Sequence, residues 1–234
     1  PSSNTDGSIT SSVSANTTSG FSIVSYTGTG STATIGHGLG AIPKMIIVKN
    51  RDSAQHWQVY HIATGNTKSS QLSGSGVPDT ASTYWNDTSP TSTVFSIGTG
   101  TPTNGSTNNI IAYCFADVKG FSKFGSYVGN GSTDGTFVYT GFKPAFFILK
   151  RTDSAAGWYM IDNKRGNNFN VIDKYLQPNT SSSEQTTTFA DFVSNGVKLK
   201  TSSGDLNASG GNFIYLAIAE SPLVGTNGVP ATAR

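Results

Sequence analysis

Charge is scarce in this chain. Of its 234 residues only 12% are Asp, Glu, Lys or Arg, about half the share usual in a globular protein. The net charge is +2, and the cations are scattered with no basic run. That is too small a balance to predict nucleic acid or an anionic membrane as a partner, and neither is expected. There is one cysteine, Cys114, so no intrachain disulfide can form. It lies in the apolar run IIAYCFA and reads as a small buried hydrophobe rather than a reactive thiol. No apolar run approaches the roughly 18–20 residues of a membrane-spanning helix, and no signal peptide is visible. No amphipathic run of period 3.6 is long enough for a substantial helix. The chain begins at Pro1 rather than Met, as expected of a processed product or a piece of a longer protein.

What is abundant is Gly, Ser, Thr and Asn, and a surface of hydroxyl and amide groups is that of extracellular β-proteins. One stretch of the chain occurs twice. SYTGTGSTATIGHGLGAIPKMIIVKNRDSAQHWQVYH, residues 25–61, aligns without a gap on SYVGNGSTDGTFVYTGFKPAFFILKRTDSAAGWYMID, residues 126–162, and 14 of the 37 positions are identical. The matches pair Tyr26 with Tyr127, Pro43 with Pro144, Lys49 with Lys150, Asp52 with Asp153 and Trp57 with Trp158. An ungapped repeat across turns as well as apolar segments indicates a duplicated structural unit.

Within each copy the signals are those of short strands. FSIVSYT alternates apolar and polar residues, as a half-buried strand does. MIIVKN is apolar on both faces, and Pro43 just ahead of it suits a strand entry. Val94–Ile97 and Ile110–Ala116 have counterparts in Val197–Lys200 and Phe213–Ala219. Each copy is about 100 residues with six or seven strands, the size of one β-sandwich. The expected fold is therefore all-β: two tandem, internally duplicated, jelly-roll-like sandwich units, the alternative being one larger jelly-roll-like sandwich to which each copy contributes half. The expected boundaries are a Ser/Thr-rich linker or extended arm at 1–20, a first unit at 21–119, a second at 120–221 and a tail at 222–234. The arm offers only Ile9 and Val13 as sizeable apolar residues, so it is expected to stay out of its own unit's core.

No catalytic constellation stands out. His37, His56 and His61 all fall in the first copy. The second copy has Val138, Gly157 and Asp162 in their places, so no shared metal site is expected. Asp52 and Asp153 recur in turns and are expected to fix their own backbone as Asx turns rather than act as paired acids. The phosphate-loop and nucleophile-elbow motifs are absent, and no cofactor is implied. Trp57 and Trp158 recur on a strand face and are expected to pack equivalently in the core. Tyr84, Trp85, Asn86 and Asp87 differ, because they sit in the long polar stretch Ala63–Pro90, where the two copies no longer match. An aromatic face beside a carboxamide and a carboxylate is the chemistry of sugar recognition, so these four are the candidate ligand-binding residues. The alternative is a loop anchored by its own aromatics.

GFSIVSYTGTGSTATIGHGLGAIPKMIIVKNRD and FGSYVGNGSTDGTFVYTGFKPAFFILKRTDS, with the lead-in DGSITSSVSANTTSGFSIVSYTG and the close AIAESPLVGTNGVPATAR, resemble a domain of structural and tail-fibre-like proteins of marine tailed phages. The resemblance runs from about Asp6 to Arg234 and carries over no functional residue. It implies a non-enzymatic, virion-associated β-domain at the end of a longer protein. The expectation is a virion-surface adhesion domain, with other virion proteins, further copies of itself and a host-surface glycan as partners. The alternatives are a purely structural subunit, such as a capsid decoration protein or a self-assembling filament, and, less favoured, a glycan depolymerase.

Overall fold

The computed structural model describes residues 1–166 and 170–220; the tail expected at 222–234 lies outside them. The chain forms two compact units, one of Pro1–Gly74 with Pro78–Asp117, the other of Ser75–Val77 with the chain from Val118 on. Both are antiparallel β-sandwiches.

The first unit contains β1 (Ser2–Asn4), β2 (Ser11–Asn16), β3 (Phe21–Thr27), β4 (Ala33–Gly36), β5 (Met45–Asn50), β6 (Gln58–His61), β7 (Lys68–Gln71), β8 (Asp79–Thr80), a helical turn α1 (Ser82–Trp85), β9 (Val94–Ile97), a second turn α2 (Thr101–Asn104) and β10 (Asn109–Phe115). One sheet has the order β1-β2-β3-β10-β5-β6-β7-β8, and β4 pairs with β9. Alternation fills the space between them. Val24, Tyr26, Ile46, Val48, Ile110, Ala112 and Cys114 point inward from the large sheet and meet Ala33, Ile35, Phe95 and Ile97 of the small one. Burial pushes the Cys114 thiol up to about 12, which keeps it protonated and inert.

The second unit contains β11 (Ser122–Val128), β12 (Phe137–Tyr139), β13 (Pro144–Arg151), β14 (Trp158–Asp162), β15 (Ile172–Tyr175), β16 (Gln185–Val193), β17 (Gly196–Leu199), the turn α3 (Gly204–Asn207) and β18 (Asn212–Ala219). Its sheets run β11-β18-β13-β14 and β12-β17-β16-β15. The duplication holds in strand order, since β3-β10-β5-β6 and β4-β9 reappear as β11-β18-β13-β14 and β12-β17. It also holds in register: Met45 opposes His61 as Phe146 opposes Asp162, and Tyr26 opposes Ile110 as Tyr127 opposes Phe213. The copies part after β6 and β14. In the first unit β7 and β8 extend the large sheet, whereas in the second β15 and β16 join the other sheet.

The repeated residues have repeated jobs. The Tyr26 hydroxyl donates to Thr103 O at 2.7 Å and that of Tyr127 to Leu206 O at 2.6 Å. Burial raises both phenols well above their usual value, so they remain donors. Lys49 donates to Gln55 O and Lys150 to Ala156 O, each lysine closing the turn that follows its strand. Lys150 is fully buried, and desolvation lowers its amine to about 8. Gly28 and Gly129 are fixed by close approach: a Cβ on either would stand 2.3 Å from a carbonyl oxygen, of Gly105 or Ala208.

Three sequence expectations are corrected. The segment 1–20 is not an extended arm. It folds back as β1 and β2, pairs with β3 and buries Val13 in the core, with Ile9 packed against it. Backbone hydrogen bonds do the docking, so a polar strand needs few apolar side chains to join a sheet edge. Gly36 makes room for it, as a Cβ there would lie 1.6 Å from Asn4 Oδ1. Trp57 and Trp158 are not equivalent in burial: Trp158 is buried, but Trp57 is half-buried and stacks on Tyr113 at 6.3 Å. From β14 the apolar cluster between the sheets takes Tyr159 and Ile161, and the period of two turns Trp158 to the opposite face. Asp52 does not make the Asx turn. Asn50 Oδ1 accepts from the Asp52 and Ser53 amides, while the Asp52 carboxylate takes the Asn109 backbone and side-chain N–H groups at 2.6 and 2.9 Å.

Candidate functional site

The stretch Ala63–Pro90 is not one long loop, for it contains β7, β8 and α1. Trp85 closes α1 and is 2% exposed, its ring set edge-on to Tyr60 at 6.0 Å within the core cluster. It is therefore withdrawn as a stacking platform. Tyr84 and Asn86 are half-buried and Asp87 is exposed. Asn86 and Asp87 have φ of 50° and 46°, the left-handed region that Asn and Asp enter more readily than other non-glycine residues. The Asn86 amide donates to Ser82 O at 2.8 Å, and Asn66 Nδ2 donates to Asp87 O at 2.9 Å. The sequence signal of two aromatics followed by Asn and Asp is thus a helical turn and its left-handed exit. The structure brings these four residues together by adjacency, but Trp85 faces away from solvent.

A different site emerges where the N-terminal hairpin meets the large sheet. Ser3, Ser12 and Ser25 oppose one another across β1, β2 and β3. Thr27 opposes Asn109 across β3 and β10, and the Arg51 amide donates to Asn109 O at 2.9 Å. These residues, together with Tyr26 and Ile110, line a groove of about 370 Å³. Among the described residues the Arg51 guanidinium makes no hydrogen bond or ion pair, and the hydroxyls of Ser3, Ser12, Ser25 and Thr27 are likewise uncommitted. The hairpin supplies one wall, so the groove exists only because β1 and β2 fold onto β3.

The second unit shows what this turn does without a groove. Thr152 occupies the place of Arg51, its amide and hydroxyl both bonded to Asn212 O. The neighbouring arginine, Arg151, is tied to Asp153 at 2.8 Å and to Gly204 O at 2.9 Å. That ion pair, reinforced by the Asn212 amide, holds the Asp153 carboxyl below its usual value. In the sequence Arg51 is only a mismatch inside an otherwise repeated turn. The shift of the arginine by one position between the copies is the signal that could have marked it.

His37 is a core residue with a pH consequence. It is fully buried, Nε2 lies 3.2 Å from Thr91 O, and Nδ1 accepts from the Leu39 amide at 3.2 Å. Both nitrogens are satisfied only in the neutral ring protonated on Nε2. Desolvation lowers its pKa, opposed by Thr91 O and by Asp6. With a folded value below the unfolded 6.5, the contribution is complete above pH 6.5. It erodes as the pH falls through 6.5 and is gone once the folded value has been passed. Replacing His37 with Gln is expected to flatten the fall in melting temperature of the first unit between pH 7 and pH 5. An unchanged slope in thermal scans across that range contradicts this account.

Among the described residues no group of three or more His, Cys, Asp or Glu side chains is placed to hold a metal ion. The chain belongs to a family of domains of unknown function, DUF7483, whose model matches residues 1–222. No curated protein and no solved structure matches it.

Proposed function

We propose that this chain is a non-enzymatic structural and adhesion module of a phage virion, tail-fibre-like, displayed on the particle surface and engaging host-surface glycan through the polar groove of its first unit. The observation that carries the reading is the groove itself. It is concave, within the volume range of small-ligand sites, and lined by hydroxyls and a guanidinium that the fold leaves free. Its serine and threonine walls are on sheet strands rather than loops, so those hydroxyls are held in place before a ligand arrives, and Arg51 lines it from the turn after β5. A site of this polarity with no exposed aromatic platform binds weakly, and adhesion then depends on many copies presented together. The likeness of the sequence to phage tail-fibre-like domains supports a virion setting with other virion proteins as neighbours.

The test is the whole chain displayed at high density on beads and assayed against a panel of immobilised cell-surface glycans. Retention on at least one glycan is expected, and Ser12→Val, which fills the groove while favouring the strand, is expected to abolish it. Absence of retention across the panel, or retention indifferent to Ser12→Val, sinks this assignment.

A further inference from the structure

Resting on that reading, we infer that the groove of the first unit selects saccharides carrying an oxyanion, a carboxylate or a sulfate ester, and that Arg51 is the residue that reads the charge. Four observations converge. Among the described residues Arg51 is the only charged one lining the groove. Its guanidinium is exposed and, among the same residues, unpaired, so no existing partner must be broken when a ligand binds. The one carboxylate beside it in sequence, Asp52, is occupied by the two N–H groups of Asn109. The corresponding turn of the second unit has its arginine neutralised and, among the described residues, has no hairpin wall. At this turn, among the described residues, a free arginine and a hairpin wall occur together in the first unit, and neither occurs in the second.

The rest of the lining suits a sugar. Ser3, Ser12 and Ser25 stand in register on three adjacent strands, about 4.7–4.9 Å apart from strand to strand, comparable with the length of one pyranose ring. Each hydroxyl donates once and accepts twice, matching the mixed character of sugar hydroxyls. Thr27 and Asn109 continue the polar floor toward Arg51. A planar guanidinium meets a carboxylate or a sulfate through two parallel N–H···O bonds, a geometry that a lysine does not reproduce.

The experiment compares three oligosaccharides of equal length by titration against the whole chain: an uncharged one, a uronate and a sulfate ester of the uncharged one. The expected result is tighter binding of at least one charged sugar, falling with added salt. Arg51→Ala is expected to weaken that charged sugar about tenfold or more and the neutral one by clearly less, with Arg51→Lys in between. A uronate-only or sulfate-only preference identifies which anion the groove takes. Equal affinity for neutral and charged sugars, or charged binding unaffected by Arg51→Ala, overturns the inference while leaving the adhesion reading intact. Loss of all sugars in Ser12→Val with no loss of the charged one in Arg51→Ala overturns it in the same way. Arg51 is exposed and its side chain supports no other residue, so the variant folds; circular dichroism at matched concentration checks it.

Discussion

Trp85→Ala is expected to destabilise the first unit by about 3–5 kcal/mol, the cost of emptying a large buried aromatic site. The indole is 2% exposed and wedged against Tyr60 in the cluster that joins the two sheets of that unit. Its neighbours are strand residues that cannot collapse into the void without losing register. Trp85→Phe is expected to cost far less. The indole Nε1 is buried without a hydrogen-bond partner among the described residues, and removing an unsatisfied donor recovers part of what the smaller ring loses. Hydrogen exchange read on peptides of the first unit separates the two variants. Loss of glycan binding in Trp85→Ala with protection unchanged would restore Trp85 as a contact residue and contradict the packing account.

Replacing Asn104 or its counterpart Asn207 with Ala is expected to cost about 3 kcal/mol or more in the unit that carries it, at about 1–3 kcal/mol per orphaned buried group. Asn104 is fully buried. Its Oδ1 accepts from the Thr29 amide at 2.8 Å, and its Nδ2 donates to Ser31 O and Gly98 O at 2.7 Å each. Asn207 repeats the pattern with the Asn130 amide at 3.0 Å and with Ser132 O and Thr201 O at 2.9 and 2.8 Å. Each amide thus cross-links the turn after β3 or β11 to the end of β9 or β17. Alanine removes the side-chain partner of one backbone N–H and two carbonyls in each unit, the Gly98 carbonyl at a buried contact and the others at half-buried ones. Asp in place of either Asn is expected to be no better, because an ionised carboxylate faces two carbonyl oxygens where the amide donated. Denaturant unfolding followed by exchange on each unit's peptides measures both. A loss below about 1 kcal/mol in both units, the scale of a single ordinary hydrogen bond, contradicts the clamp.

The repeat was legible because identity at a fixed offset is visible in the letters themselves, and the shared strand order and register follow from it. Tyr26, Lys49 and Asp52 stood out together with their partners; the structure gives the tyrosines and the lysines one task each, while Asp52 takes the Asn109 N–H groups and Asp153 pairs with Arg151. Asn104 and Asn207 did not stand out, since they lie at an offset of 103 rather than 101, beyond the point where the copies diverge. Their importance comes from burial, and a buried Asn looks like any other Asn in a chain rich in that residue. Arg51 was illegible for a related reason: a residue is free only by contrast with the partners it lacks, and partners are a tertiary fact.

By itself the sequence determined that this is an all-β protein of two like units without disulfides, because alternation, turn residues and self-similarity are local or self-referential properties. Only the tertiary structure decided that the Ser/Thr-rich segment at 1–20 is a sheet hairpin. Such a strand is held by backbone hydrogen bonds, which leave almost no signature in side-chain composition. Only it decided that Trp85 faces inward, since the direction of a one-turn helix depends on what lies beneath it. And only it made a groove from serines of three strands and an arginine from a distant turn, since a concave site belongs to the packing of the strands that wall it.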